Sequence, residues 1–207
     1  MQTPRRNIKF LTREEVTKII DTCGESARER RDRALLEVLF STGLRISEAL
    51  ALERAVFEPW RQGETIKLKT YQRELVLPTK EIKTVELSVV GKGGWQRVVY
   101  FSPQAIRAVG LYLEKRRGKK IGDKLFPITA RAAQLMVKRR AKMANIDKFV
   151  SPHVFRHSLA TDLLRQGVDI RFVSEFLGHR SLNNTMIYTH VVSSQLRKIH
   201  EKLYARE

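Results

Sequence analysis

The chain opens and closes on helical periodicity, with a β-like stretch between. Thr12 precedes an amphipathic run and has Glu15 three residues on, the pairing of a helix capping box. A second helix is predicted from about Glu29 to Ser41. Leu35, Leu36, Val38, Leu39 and Phe40 lie on its buried side, and Gly43 ends it. A short helix follows from about Ile46 to Leu52. From Thr65 to Phe101 the spacing changes to alternation with β-branching: Thr65 to Leu68, Glu74 to Leu77, Val85 to Val89, and Gln96 to Phe101. Gly91-Lys92-Gly93-Gly94 interrupts the last two segments and reads as a hairpin turn.

Helices then return. Ser102-Pro103 is an N-cap followed by proline at the first helical position, and this helix runs to about Arg117. Others are predicted from Thr129 to Ala144, from Ser151-Pro152 to Gly167, and from the cap Asp169 to Gly178. A short one spans about Asn183 to Tyr188, and a last one begins near Ser193. The expected fold class is α+β, mostly helical, with a small antiparallel sheet on one edge. Residues 1–10 read as an arm, 11–190 as one domain, and 191–207 as a C-terminal helix. In that helix Leu196, Ile199 and Leu203 form a stripe suited to docking on another protomer or folding back on its own chain.

Charge adds a partner to this picture. Lys+Arg number 40 against 22 Asp+Glu, a net charge of +18, which attracts polyanions, nucleic acid foremost. Two basic runs carry much of it: Lys115, Arg116, Arg117, Lys119 and Lys120, then Lys138, Arg139, Arg140 and Lys142. Each lies on or beside a helix, where it can track phosphates or simply be solvated. Cys23 is the single cysteine, so neither a disulfide nor a cysteine zinc site is expected. No apolar run has the length of a membrane span, and no secretory core follows the basic N-terminus. A cytoplasmic protein with no membrane partner is the expectation.

Three segments carry candidate chemistry. In Ser151-Pro152-His153-Val154-Phe155-Arg156-His157 the residues His153, Arg156 and His157 fall at i, i+3 and i+4, on one face of a helix start. One fixed cation and two switchable donors at that end suit a phosphate. The two histidines also have the spacing of a metal site, but no carboxylate lies between them and Arg156 would repel a cation. No metal and no cofactor is expected. Leu177-Gly178-His179 leaves His179 on a turn, with Tyr188 nine residues later. A tyrosine, whose pKa is near 10, attacks phosphorus only amid positive charge and a proton acceptor. Thr42-Gly43-Leu44-Arg45-Ile46-Ser47-Glu48 offers a further arginine at a helix start, with Glu48 placed to orient it or to form a surface ion pair.

Taken in order, these segments resemble the tyrosine recombinases, in particular the Xer-type recombinases and related phage and mobile-element integrases. The resemblance runs from about Phe10 to Val191. It implies a tyrosine-recombinase catalytic fold and a metal- and ATP-independent enzyme that cuts and rejoins DNA through a 3′-phosphotyrosine. It implies that Arg45 and Arg156 clamp the scissile phosphate, that His153 accepts a proton or contacts the phosphate, and that His179 donates to it. Lys92 would protonate the leaving 5′-oxygen, with Lys80 and Lys83 as alternatives, and Tyr188 would be the nucleophile. Glu48 and His157 would support. The implied partners are double-stranded DNA and further copies of the chain in a tetrameric synaptic complex.

Two departures from the family pattern bear on structure. The motifs begin almost at once, so the usual N-terminal DNA-clamping domain is expected to be absent. The stretch between Leu52 and Val85 is long, and Glu64 to Leu77 is expected to add a hairpin. Two other functions compete: a type IB topoisomerase, which relaxes one duplex alone, and a non-catalytic DNA-binding module, which has no need of all six site residues.

Overall fold

In the computed structural model, residues 10–59, 65–69, 74–78, 85–90, 96–116 and 123–178 are described. The first helix, α1 (Arg13–Asp21), starts from the capping box read in the sequence. Glu15 N–H donates to Thr12 Oγ1 at 3.2 Å, and Thr12 N–H donates to Glu15 Oε2 at 2.8 Å. A second capping box, Ser26 with Glu29, begins α2 (Ala27–Thr42) two residues ahead of the expected start. Gly43 closes α2 in the left-handed region at φ 61°. The third helix, α3 (Ile46–Ala51), follows at once.

A 3-10 turn (Arg54–Val56) leads into five strands: β1 (Phe57–Pro59), β2 (Thr65–Lys69), β3 (Glu74–Pro78), β4 (Val85–Val90) and β5 (Gln96–Phe101). They form two antiparallel sheets rather than the one expected. The expected extra hairpin is β2 with β3, registered Thr65↔Pro78 to Lys69↔Glu74. The unexpected strand β1 lies on the other edge of β2 and makes that sheet three-stranded. The second sheet is β4 with β5, paired Val85↔Phe101 to Val90↔Gln96. In β5, Val99 and Phe101 are buried while Gln96, Val98 and Tyr100 face out, the period of two that a half-buried strand requires. The Phe101 ring meets Phe57 edge-on, with centroids 5.1 Å apart, and joins the two sheets.

Four helices complete the described fold: α4 (Pro103–Lys115), α5 (Ala130–Met143), α6 (Pro152–Arg165) and α7 (Ile170–Leu177). Ser102, Thr129 and Asp169 cap α4, α5 and α7 through their side chains. The central helix is α2, which packs against α1, α4, α6 and β5. Its Leu35, Leu36, Val38 and Leu39 are fully buried, and Phe40 packs at the edge of the same core.

Charge also holds the interior. Asp32 of α2 is fully buried and accepts from Arg140 of α5 at 3.0 Å and from Arg31 at 2.6 Å. Arg140 further donates to the Thr22 carbonyl at 2.7 Å. A buried carboxylate is tolerated only when paired in this way. Near α6, Ser158 Oγ accepts the Leu11 N–H at 2.8 Å and donates to the Val154 carbonyl. The start of α1 is thereby tied to the helix that carries His153 and Arg156.

Candidate active site

The local chain path places Arg45. Thr42 Oγ1 donates to the Val38 carbonyl and accepts the Leu44 N–H, so α2 turns sharply at Gly43. A side chain at Gly43 would start 2.8 Å from Leu177 Cδ2, so glycine serves both the positive φ and the close approach of α7. Leu44 is buried, and Arg45 becomes the N-cap of α3. Glu48, three residues on, accepts the Arg45 backbone N–H at 2.8 Å and its Nη1 at 3.0 Å. Glu48 thus holds Arg45 by both its backbone and its side chain.

A residue not singled out in the sequence completes this cluster. Arg97 of β5 donates Nη2 to Glu48 Oε2 at 2.6 Å and Nη1 to Glu48 Oε1 at 3.3 Å. It lies on the inward row of β5 with Val99 and Phe101, where a cation requires a partner. Burial alone pushes the Glu48 carboxyl up, but hydrogen bonds from Arg97 and the Arg45 backbone, with the Arg97 charge, outweigh it and hold the group below the usual range.

Arg156 reaches the same corner from α6. It is almost fully buried, and its Nη1 donates to the Gly43 carbonyl at 2.5 Å while Nη2 donates to the Leu177 carbonyl. Both acceptors lie at helix C-termini, where carbonyl dipoles favour a cation. One guanidinium thus joins the ends of α2 and α7, two residues before Arg45 and two before His179.

On the same face of α6, the His153 and His157 rings meet edge to face with centroids 4.3 Å apart. Partial burial lowers the pKa of His153, and the Arg156 and Arg45 charges lower it further. Burial, then His153, then Arg156 bring His157 down to about 4. Both imidazoles are therefore biased toward the neutral form, which accepts a proton. The bond from Arg156 to the Gly43 carbonyl, two residues before Arg45, brings residues of two separate motifs to one site.

Arg45, Glu48, His153, Arg156 and His157 are thus brought together. Lys92, His179 and Tyr188 lie outside the described residues, as do the expected helices after Gly178. Two members of the basic runs need correction. Arg140 is buried in the Asp32 cluster. Arg116 is buried too: it donates to the Lys124 and Leu125 carbonyls and sits over the Tyr112 ring. Both guanidinium groups are held by partners inside the fold. Lys115, Lys138, Arg139 and Lys142 are exposed, while Arg117, Lys119 and Lys120 lie outside the described residues. Among the described residues no group of three or more His, Cys, Asp or Glu is placed to hold a metal ion, and no helix is long and apolar enough to cross a membrane.

This mostly helical fold has counterparts among known proteins. The phage integrase family model matches residues 9–195, and the chain belongs to that family. The tyrosine recombinase XerD of Corynebacterium glutamicum is 36% identical over 198 residues, covering 89% of this chain and 58% of that protein. Among solved structures, the XerA recombinase superposes with a TM-score of 0.68 at 27% identity, over 100% of this chain and 67% of its own. The XerH site-specific recombinase, bound to a palindromic difH substrate in a post-cleavage complex, gives a TM-score of 0.69 at 26% identity over 94% of this chain and 53% of its own. The chain thus spans roughly three-fifths of the length of such curated relatives.

Proposed function

We propose that this chain is the strand-transfer domain of a site-specific DNA recombinase or integrase. The observation that carries this reading is the convergence of Arg45, His153 and Arg156 from separate motifs, with Glu48 and the Gly43 carbonyl orienting the two arginines. The transition state of phosphoryl transfer spreads negative charge over non-bridging oxygens. Fixed guanidinium groups stabilise that charge without reorganising. In this mechanism Arg45 and Arg156 hold the scissile phosphate and neutral His153 accepts the proton of the Tyr188 hydroxyl. The Tyr188 oxygen bonds to phosphorus as the bond to the 5′-oxygen breaks, and Lys92 supplies the proton to that oxygen. Attack by a 5′-hydroxyl of another strand reverses the step, so the phosphodiester is restored without ATP.

The net charge of +18 supports double-stranded DNA as the partner. A tetrameric synaptic complex, with the Leu196, Ile199, Leu203 stripe docked between protomers, follows from the family logic of exchanging strands between two duplexes. The kinship to XerD and XerH favours this reading over strand relaxation by a lone topoisomerase-like enzyme.

The test is a covalent trap. Nicked suicide duplexes are incubated with the chain in excess EDTA, and the adduct is resolved on a denaturing gel and mapped by mass spectrometry. A phosphopeptide containing Tyr188 is expected, with none from the Tyr188→Phe protein. An adduct on Tyr71, Tyr100, Tyr112 or Tyr204, or one that needs added Mg²⁺, would overturn the assignment.

A further inference from the structure

Arg97 stands at a junction that no residue of the proposed mechanism occupies. Its strand, β5, follows the Gly91–Gly94 segment that holds Lys92. Its guanidinium grips both oxygens of Glu48, and Glu48 in turn grips Arg45 by backbone and side chain. The Arg97 and Glu48 side chains are 10% and 7% exposed, whereas Arg45 is 36% exposed. The pair Arg97–Glu48 is thus the enclosed base, and Arg45 the end that reaches outward.

A further packing relation points the same way. A side chain begun at Gly178 would lie 2.9 Å from Arg97 Cδ, 3.1 Å from Nη1 and 3.2 Å from Nε. Gly178 takes φ 65° at the end of α7, immediately before His179. The Arg97 side chain therefore lies close against Gly178, the residue that precedes His179 in the sequence. An ion pair serving only the stability of the β4–β5 hairpin has no need to reach both a site arginine's partner and Gly178.

We propose that Arg97 is a positioning residue for strand transfer: through Glu48 it fixes the orientation of Arg45, and by packing on Gly178 it ties the β5 strand to the turn before His179. It does not touch the reacting phosphate. The role rests on the recombinase reading above. A fork with two donors is what the arrangement requires, because a lysine ammonium is a single point charge and cannot grip both carboxylate oxygens as Arg97 does.

The experiment uses a nicked suicide duplex selected from a randomised pool for adduct formation by the unaltered chain. Single-turnover adduct rates at saturating protein, and affinities for the same duplex, are measured for Arg97→Met, Arg97→Lys and Glu48→Gln, and for Arg97→Met combined with Glu48→Gln. Misplacing a site group by a fraction of an ångström to one ångström slows reaction on the order of 10- to 100-fold, and a fall of that size is expected for Arg97→Met with affinity within about twofold. Arg97→Lys should recover part of the rate. In the Glu48→Gln background Arg97→Met should slow the reaction less than it does in the parent, because the link through Glu48 is already lost and only the contact with Gly178 remains to be removed. Circular dichroism melts establish that each variant is folded; if Arg97→Met is not, Arg97→Lys alone must show the slowed rate with unchanged affinity. An unchanged rate in a folded Arg97 variant, fully multiplicative effects with Glu48→Gln, or a loss confined to affinity would each overturn the role. Failure of the unaltered chain to yield any adduct from the pool would instead remove the recombinase reading, and this role with it.

Discussion

Arg156 of α6 donates a hydrogen bond of 2.5 Å to the carbonyl of Gly43 at the end of α2. The second arm of the same guanidinium binds the Leu177 carbonyl at the end of α7. A residue expected to meet a phosphate is therefore also the joint between three helices. Its placement needs no ligand, because two helix C-termini supply the negative ends of their dipoles. The site arginine is in this sense preorganised by the backbone.

Replacing Arg156 by Lys should cost both stability and chemistry. A lysine ammonium cannot span two carbonyls on different helices, so one charge-assisted bond disappears and a buried acceptor is left without its donor. The expected loss is about 1.5–3 kcal/mol in urea unfolding. The covalent adduct should also form more slowly at saturating DNA. A variant as stable as the parent would show that the two carbonyls do not depend on Arg156.

Gly43→Ala should destabilise the fold without altering any charge. The φ of 61° costs a residue with a side chain about 1–2 kcal/mol, and the new Cβ would press on Leu177 at 2.8 Å. Calorimetry should record a lower Tm. Since the Gly43 carbonyl accepts from Arg156, the adduct rate should fall along with it. An unchanged Tm would mean that α7 withdraws at no cost.

Much of this framework was legible because its signals are local. Thr12 with Glu15, Ser102 with Pro103, and Asp169 with Gly178 each announce a helix end within a few residues. The strand β1 was not legible: three residues ending in Pro59 carry no alternation to read. The interior positions of Arg116 and Arg140 were not legible either. A basic run looks alike whether a member faces solvent or a carboxylate such as Asp32, which lies 108 residues from Arg140. Arg97 carries a sequence signal of its own. It shares the odd positions of β5 with Val99 and Phe101, and a cation in an inward row implies a buried partner.

The histidine pair makes stability depend on pH. His157 falls from its ordinary 6.5 to about 4 in the folded protein. Between those values the unfolded chain binds a proton that the folded chain refuses, so stability declines as pH drops through this window. Because the ring keeps partial exposure to solvent, the loss is on the order of 1–2 kcal/mol after allowance for screening. His153, shifted the same way, adds to the slope. Urea unfolding from pH 7 to pH 4 should show the decline in the parent and a shallower one in His157→Gln. Equal slopes would mean that His157 titrates alike in both states.

The basic helix α5 should divide sharply between structure and binding. Lys138 and Lys142 are exposed, Arg139 is exposed but also reaches Asp32 at 3.4 Å, and Arg140 is buried against Asp32. Cations bound to phosphates release counterions, and removing one such cation lowers the slope of log affinity against log salt by about 0.9. Changing Lys138 and Lys142 to Ala should therefore weaken DNA binding most at low salt, lower that slope by up to roughly 2, and leave the unfolding free energy nearly unchanged. Arg140→Ala should do the reverse. It strips a buried carboxylate of its nearer partner on α5, a loss of about 3 kcal/mol when no other cation compensates and less here because Arg31, and Arg139 at 3.4 Å, stay bound. Among protein molecules that remain folded, the salt slope should not move. The measurement is fluorescence anisotropy with a labelled duplex from roughly 50 to 200 mM salt, the range over which counterion release is steep, paired with urea unfolding of the same variants. If Arg140→Ala flattened the salt dependence while stability held, the buried guanidinium would have to turn outward on DNA, and the Asp32 cluster would be a resting arrangement rather than a fixed part of the core.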